Sequence, residues 1–275
     1  MRDLGYVEGK NIAFVFRSAE GNPERYDGLA AELVRLKVDI IVADFTSPAL
    51  AAKKATRTIP IVMTTLTDPV GTGLVASLAR PGGNVTGLTN ISGELGGKQL
   101  ELLKEIVPKL NRVTILRPVG SVADDLFVKE TEVPARALGV QLIPARIQGP
   151  DDLEDAFQSM TKERADGLVV RLLPNTYSVP LKRVADLTMK NRLPSIAQLS
   201  AWTDAGGLMS YGSDPNVNYR RAATCVDKIL KGAKPADLPV ETPTKFELRI
   251  NLKTAKQIAL TIPQSVLFRA DKVIK

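Results

Sequence analysis

Short apolar runs alternate with longer amphipathic segments along most of the chain. VDIIVAD (residues 38–44) is apolar almost throughout, as expected for a strand covered on both faces. In the segment before it, Leu29, Leu33 and Leu36 form one stripe at helical spacing. The predicted strands are residues 11–20, 38–44, 59–65, 112–118, 140–146, 167–172 and 193–197. The predicted helices are residues 22–36, 94–107, 124–138, 151–163, 179–190 and 215–231, with two more that begin at Thr46 and at Pro69.

This alternation predicts an α/β fold with parallel sheets and right-handed crossovers. The pattern restarts after Gly87, where a second series of strands and helices begins without a low-complexity linker. A chain of 275 residues is long for one compact domain and suits two lobes, each with its own core.

Composition excludes several kinds of site. The chain has no histidine and one cysteine, Cys225, which rules out a Ser/His or Cys/His catalytic pair, most zinc sites and an internal disulfide. Cys225 has helical spacing with apolar neighbours, which favours a packed thiol over a nucleophile. The net charge is +7, but the basic residues are scattered, which favours a basic surface over a nucleic-acid site. We therefore expect no metal, no cofactor and no nucleic acid.

Polar, proline-bearing turns follow several predicted strands. They are Thr46-Ser47-Pro48, Thr67-Asp68-Pro69, Asn175-Thr176 before Val179-Pro180, and Ser213-Asp214-Pro215. Each predicted helix start offers backbone N–H groups and the positive end of a dipole, which suit a carboxylate or another anion. The alternative is that Thr46, Ser47, Asp68 and Ser178 are only helix caps. Asp68 has a further alternative, since its carboxylate suits an ammonium group.

Four stretches of the sequence resemble a known family. TDPV with GLVASLARPGGNVTG, DAGGLMSYGSDPNVNYRRAA, VDKILKGAKPADLPVETPTKFELRINLKTAKQIAL and IPQSVLFRADKVI are similar to solute-binding proteins of ABC importers linked to tryptophan and tyrosine uptake. The resemblance implies a type 1 periplasmic-binding-protein fold with two Rossmann-like lobes and a three-segment hinge. Lobe 1 would be residues 1–89 and 212–246, and lobe 2 residues 90–211 and 247–275.

The same resemblance implies a function. Such a protein is extracytoplasmic, either periplasmic or lipid-anchored, and is not an enzyme. It closes by hinge motion on a small polar ligand, here an amino acid or an aromatic acid, and delivers it to the permease of an ABC importer. In this family a signal peptide, a strand and a helix ending in a phrase like LGYVEGKN come first. Because MRDLGYVEGKN has no apolar signal core, we expect the first strand of lobe 1 and its ligand loop to be missing.

The second lobe departs from the family pattern. RPVGSVADD stands where an Asn-Pro-rich loop is expected, and RLLPNTYS stands where an acidic DP-type turn is expected. Arg171 and Tyr177 suit a carboxylate or an aromatic ring, although Arg171 is also interpretable as a strand-end residue facing solvent. Tyr211 and Trp202 are candidates for stacking, and a core or hinge role for Trp202 is at least as well supported. The candidate ligand contacts are Thr46, Ser47, Thr67, Asp68, Ser121, Arg171, Asn175, Tyr177 and Tyr211.

Two other classes of protein fit less well. Residues 71–76, GTGLVA, match the G-x-G-x-x-A fingerprint of a nucleotide-dependent enzyme. Asp68 and Pro69 separate these glycines from the strand, and the next strand does not end in an acidic residue that could hold a ribose. An effector-binding domain of a regulator shares the two-lobed fold, but no helix-turn-helix segment precedes the lobes in this sequence.

Overall fold

A computed structural model describes residues 1–90, 92–172 and 179–275. The strands are β1 (Ile41–Ala43), β2 (Ile61–Thr67), β3 (Val85–Asn90), β4 (Arg112–Pro118), β5 (Gln141–Ile147), β6 (Gly167–Val170), β7 (Ser195–Ala197), β8 (Met209–Gly212), β9 (Glu247–Asn251) and β10 (Lys272–Ile274). The helices are α1 (Tyr26–Arg35), α2 (Thr46–Ala55), α3 (Ser92–Ile106), α4 (Val122–Ala137), α5 (Leu153–Lys162), α6 (Leu181–Lys190), α7 (Ala201–Asp204), α8 (Pro215–Leu230), α9 (Leu252–Gln257) and α10 (Gln264–Leu267).

The chain forms two compact units, each made of two segments. Unit 1 consists of Met1–Ile91 and Pro215–Thr244, and unit 2 consists of Ser92–Asp214 and Lys245–Lys275. Each unit has its own sheet, and each sheet has helices packed against it.

Unit 1 has a three-stranded parallel sheet in the order β1-β2-β3. The central strand β2 is buried on both faces, as the apolar run predicts. Ile61 and Met63 pack in the cluster that contains the alanines of α2, whereas Val62 packs against Ala222 and Cys225 of α8. The chain therefore reaches α8 only after leaving this unit and returning.

Unit 2 has a seven-stranded sheet in the order β10-β9-β8-β7-β6-β4-β5. Its strand pairs are parallel except β8 with β9, which are antiparallel. Side chains alternate across β4: Val113 and Ile115 pack in the cluster that contains Phe127 of α4, and Leu116 packs in the cluster that contains Phe157 of α5. Helices thus cover both faces, and the polar groups that follow each strand gather at the carboxyl edge of the sheet.

Two predicted elements are wrong. Residues 11–20 form no strand ladder, and Phe16 is 81% exposed. Alternation defines two faces of a segment, but a strand also needs a partner for its N–H and C=O groups, and β1 pairs only with β2 in the described part of the chain. The predicted helix at Pro69 is a series of turns, because Gly71 and Gly73 disfavour helix and Gly73 adopts a φ of 71°.

Candidate functional site

At the carboxyl edge of the unit 1 sheet, Asp44 follows β1 directly. Its carboxylate accepts hydrogen bonds from the hydroxyl of Thr64 in β2 and from the hydroxyl of Tyr219 in α8, the latter at 2.8 Å. Asp44 is partly buried, so it is both held in place and open to further contacts. Sequence reasoning missed Asp44, although its position as the first polar residue after a buried strand is a usable signal.

The hydrogen bond from Tyr219 to Asp44 requires a protonated phenol, and the pKa of Tyr219 keeps it protonated. Partial burial of the ring, followed by the charge of Asp44 and the hydrogen bond to it, raises the pKa of Tyr219 to about 12. Burial and the charge of Asp44 also raise the pKa of Tyr26. The hydroxyl of Tyr219 therefore remains a proton donor to Asp44 at any physiological pH.

Two residues at this edge have strained backbones. Phe45 follows Asp44 with a φ of 68°, and Asp68 follows β2 with a φ of 38°. Positive φ in residues other than glycine costs on the order of 1–3 kcal/mol, and such residues concentrate at ligand sites. Their occurrence at the ends of two adjacent strands points to this edge of the sheet as a functional surface.

Thr46 and Ser47 lie in the first turn of α2, where sequence reasoning placed them. Phe45 occupies the N-cap position and, having no side-chain acceptor, cannot cap the helix. Thr46 is buried and Ser47 is half-buried. The amino end of α2 thus lies directly beside the Asp44 carboxylate in the chain, and its N–H groups face an edge that also holds an anion.

Asp68 closes its own turn. Its Oδ1 accepts a hydrogen bond from the backbone N–H of Gly71 at 2.8 Å, and its carbonyl accepts from the hydroxyl of Thr72 at 2.9 Å. A Cβ at Gly71 would lie 1.9 Å from Oδ2 of Asp68, so glycine is required for this contact. Asp68 therefore closes a turn, and in the described residues 69–90 no helix follows directly for it to cap. Thr67 is the last residue of β2, and its side chain is outside the described part.

At the carboxyl edge of the unit 2 sheet, Arg171 follows β6 and is held by three groups. Its Nε donates to Oδ1 of Asp124 at 2.9 Å, its Nη1 donates to Oε1 of Gln198 at 2.8 Å, and its Cζ lies 4.1 Å from the ring centroid of Phe127. The side chains of Arg171 and Asp124 are each 9% exposed. Arg171 is therefore a fixed, charge-compensated group, and not the solvent-facing residue of the alternative interpretation.

Ser121 is the N-cap of α4. Its Oγ accepts from the N–H of Asp124 at 3.3 Å and donates to Oδ2 of Asp124 at 2.6 Å. A second ion pair lies on the same helix turn, where Asp125 contacts the buried guanidinium of Arg117 and lies 3.5 Å from that of Arg146. Ser121 thus caps α4, and the two aspartates of the first turn of α4 pair with three arginines.

Gln198 follows β7 and lines a small pocket at the ends of β6 and β7, together with Arg171, Trp202 and Leu181. The pocket contains both apolar surface and the polar ends of Gln198 and Arg171. A Cβ on Gly212, the last residue of β8, would lie 2.2 Å from the carbonyl oxygen of Gln198. A side chain at position 212 would therefore clash with the backbone of Gln198, and glycine avoids this clash. Sequence reasoning also missed Gln198, which, like Asp44, is the first polar residue after a buried strand.

The aromatic candidates divide into two groups. Tyr211 in β8 is half-buried and stacks on Phe246, with ring centroids 5.6 Å apart. Trp202 is 1% exposed and packs in the core of unit 2, so the core alternative holds for its ring. Asn175 and Tyr177 lie outside the described residues.

In residues 1–90, 92–172 and 179–275 there is no cluster of His, Cys, Asp and Glu side chains suited to a metal ion. Among the helices within those ranges, none has the length and hydropathy that a membrane span requires. The glycines of the G-x-G-x-x-A match lie in turns that no helix follows directly, unlike the strand–glycine–helix unit of a dinucleotide site.

Comparison with known proteins gives the family. The model of the family described as ABC transporter substrate binding protein matches residues 1–274. The tyrosine-binding protein of Clostridioides difficile (strain R20291) is 30% identical over 264 residues, which cover 94% of this chain and 74% of that protein. The chain belongs to the ABC transporter substrate-binding protein family. The predicted family resemblance is thereby confirmed.

Solved structures of similar proteins confirm the fold class. A domain from Streptococcus pneumonia in complex with L-Trp has a TM-score of 0.91 and 27% identity, covering 99% of this chain and 91% of its own. A conserved domain protein from Vibrio cholerae has a TM-score of 0.91 and 32% identity, covering 99% and 90%. The α/β fold with parallel sheets of the type 1 periplasmic-binding-protein class is therefore confirmed.

Proposed function

We propose that this chain is the solute-binding component of an ABC importer and that it binds an aromatic L-amino acid. The observation that carries the proposal is the arrangement at Asp44. A fixed carboxylate stands directly before the amino end of α2 in the chain, so an acceptor for an ammonium group neighbours donors for a carboxylate. An amino acid carries both groups on one carbon atom.

The relatives support the ligand class. One similar protein is named for tyrosine, and another was solved with L-Trp. In our proposal the head group lies at the turns of Thr46-Ser47 and Thr67-Asp68 with Asp44, and the ligand's ring lies near Tyr211. Ser121 and the 173–178 segment with Asn175 and Tyr177 complete the predicted contacts, and Arg171 acts through the side chains that it holds.

The remaining parts of the proposal follow from the family. The protein acts outside the cytoplasmic membrane, without catalysis, and passes its ligand to a membrane permease. Movement of the two units about the connecting segments would close the protein on its ligand, and contacts from both units would stabilise the closed form. A change in small-angle scattering on addition of the bound amino acid would test this step.

Binding measurements test the ligand class and the role of Asp44 together. The panel consists of L-tyrosine, L-tryptophan, L-phenylalanine and 3-(4-hydroxyphenyl)propionate, which lacks the ammonium group. Loss of a hydrogen bond to a charged group costs about 1.5–3 kcal/mol, so Asp44→Asn should weaken the amino acids roughly tenfold or more. The propionate should bind the variant about as well as the wild type.

Asp39→Asn is the matched control, because Asp39 is exposed at the opposite end of the same strand. It should leave every affinity unchanged. Thr67→Ala and Asp68→Asn extend the test to the neighbouring turn. No detectable binding of any amino acid by the wild-type protein would contradict the proposed function. Equal affinities of wild type and Asp44→Asn would contradict the placement of the head group.

A further inference from the structure

The amide group of Gln198 has only one orientation that its neighbour permits. A guanidinium donates hydrogen bonds and accepts none, so the atom of Gln198 that faces Nη1 of Arg171 must be the carbonyl oxygen Oε1. The amino group, Nε2, is then turned away from Arg171. Within the described ranges, Nε2 has no hydrogen-bond partner.

Arg171 is itself held in place by its neighbours, so its hydrogen bond fixes the orientation of the Gln198 amide. Hydrogen bonds run from Ser121 to Asp124, from Arg171 to Asp124 and from Arg171 to Gln198. The ring of Phe127 supports the guanidinium plane. Because Asp124 compensates the charge of Arg171, the group that this network presents at the end of β7 is a neutral N–H donor.

The surroundings of Gln198 combine partial burial with apolar walls. The residue is half-buried and lines the pocket at the ends of β6 and β7, which has mostly apolar walls that include Trp202 and Leu181. Gly212 keeps space for its backbone, since any larger residue would meet the Gln198 carbonyl. A donor held by a buried network at the edge of an apolar pocket is the arrangement that distinguishes ligands with an acceptor from those without one.

We infer that Gln198 is a specificity-determining residue that donates from Nε2 to an oxygen acceptor of the bound ligand, with Arg171 as its positioning residue. This inference rests on the proposed function. In an aromatic amino acid the acceptor is either the carboxylate or a phenolic oxygen. Both sources share the chemistry of an oxygen that accepts an N–H, and the choice of ligands in the test separates them.

The test compares two substitutions of one side chain. Gln198→Met keeps the length of the side chain and removes the donor, and Gln198→Glu keeps the partner of Arg171 but replaces the donor by an acceptor. We expect the affinity for L-tyrosine to fall roughly tenfold with methionine and further with glutamate. Gln141→Glu is the control, because Gln141 is exposed at the start of β5, and it should change nothing.

Four ligands identify the acceptor. If the phenol is the acceptor, Gln198→Met weakens L-tyrosine and tyramine and leaves L-phenylalanine unchanged. If the carboxylate is the acceptor, it weakens L-tyrosine, L-phenylalanine and 3-(4-hydroxyphenyl)propionate and leaves tyramine unchanged. Equal affinities of wild type and Gln198→Met for all four ligands would overturn the inference. Binding by the wild-type protein decides the proposed function separately.

A double-mutant cycle tests the positioning role of Arg171. The variant Arg171→Met/Asp124→Leu removes the pair together, so that neither charge is left buried alone. When Gln198 is unchanged, the Arg171→Met/Asp124→Leu variant should bind L-tyrosine several-fold more weakly than the wild type. In the Gln198→Met background the same pair of changes should have no further effect. A similar loss in both backgrounds would show that Arg171 contacts the ligand directly and would overturn its assignment as a positioning residue.

Discussion

Removing the carboxylate of Asp124 should destabilise unit 2 strongly. Asp124 and Arg171 form a pair whose side chains are each 9% exposed, and Asp124 also accepts from Ser121 at 2.6 Å. In the part of the chain that the structure describes, Asp124→Ala leaves the guanidinium of Arg171 buried with Gln198 and Phe127 as its remaining partners. Breaking a buried pair from one side costs about 3–5 kcal/mol, because the remaining charge is uncompensated. For a unit of this size we expect the Tm to fall by roughly 10 °C.

The assay is differential scanning calorimetry of the apo protein, with two comparison variants. Asp124→Leu combined with Arg171→Met removes both charges and should cost much less than the single change, since no charge is left behind. Glu154→Ala breaks the pair with Arg183, which has similar distances of 2.8 and 2.9 Å but side chains that are 50% and 42% exposed. This exposed pair should contribute less than about 1 kcal/mol.

The relative stabilities of the wild type and the three variants can refute this reasoning. If Asp124→Ala matches the wild type, or if the double variant is as unstable as the single one, burial of the uncompensated charge is not the cause. A loss from Glu154→Ala as large as that from Asp124→Ala would show that exposure does not separate the two pairs.

Three further predictions concern single side chains. The folded-state pKa of Tyr219, about 12, exceeds its ordinary value of 10.0, so its bond to Asp44 stabilises the fold below pH 10 and that contribution is lost as pH rises through about 12. Asp44→Asn should move this tyrosinate transition to lower pH in an ultraviolet titration, and an unchanged curve would contradict the assignment. Gly207→Ala should lower the free energy of unfolding, measured with urea, by about 1–3 kcal/mol, because the added Cβ would lie 2.1 Å from the Trp202 ring. An unchanged urea midpoint would disprove the contact. Burial raises the pKa of the Cys225 thiol, so a thiol reagent should react slowly with the native protein and rapidly in denaturant, whereas rapid native labelling would contradict its burial.

Much of the fold follows from sequence because its strands are covered on both faces. The predicted strand over residues 112–118 has the observed bounds of β4, and every residue from Val113 to Pro118 is buried. The segment 11–20 fails because pairing depends on a neighbouring strand, which periodicity does not report. The turn after β2 fails because two glycines outweigh the helix-starting proline.

The candidate site was predictable as a region and less so as residues. Residues near predicted helix starts were identified, but the side chain of Asp68 closes a turn and that of Ser121 caps α4. Asp44 and Gln198 went unnoticed because their local signal, a polar residue directly after a buried strand, does not show which side chains they contact. Their roles depend on partners 175 and 27 residues away along the chain, in Tyr219 and Arg171. Such contacts appear only when the strands are set side by side.

The path of the chain through the two units affects how the protein is made. Strand β8 pairs with β7 on one side and β9 on the other, and residues 215–244 of unit 1 separate β8 from β9 in the chain. A ribosome therefore releases residues 1–214 before either sheet has all its packing partners, since unit 1 also waits for α8. Until β9 emerges, the edge of β8 carries unpaired N–H and C=O groups. Folding of both units is thus tied to residues 215–251, and a stop in translation before residue 215 leaves neither unit complete.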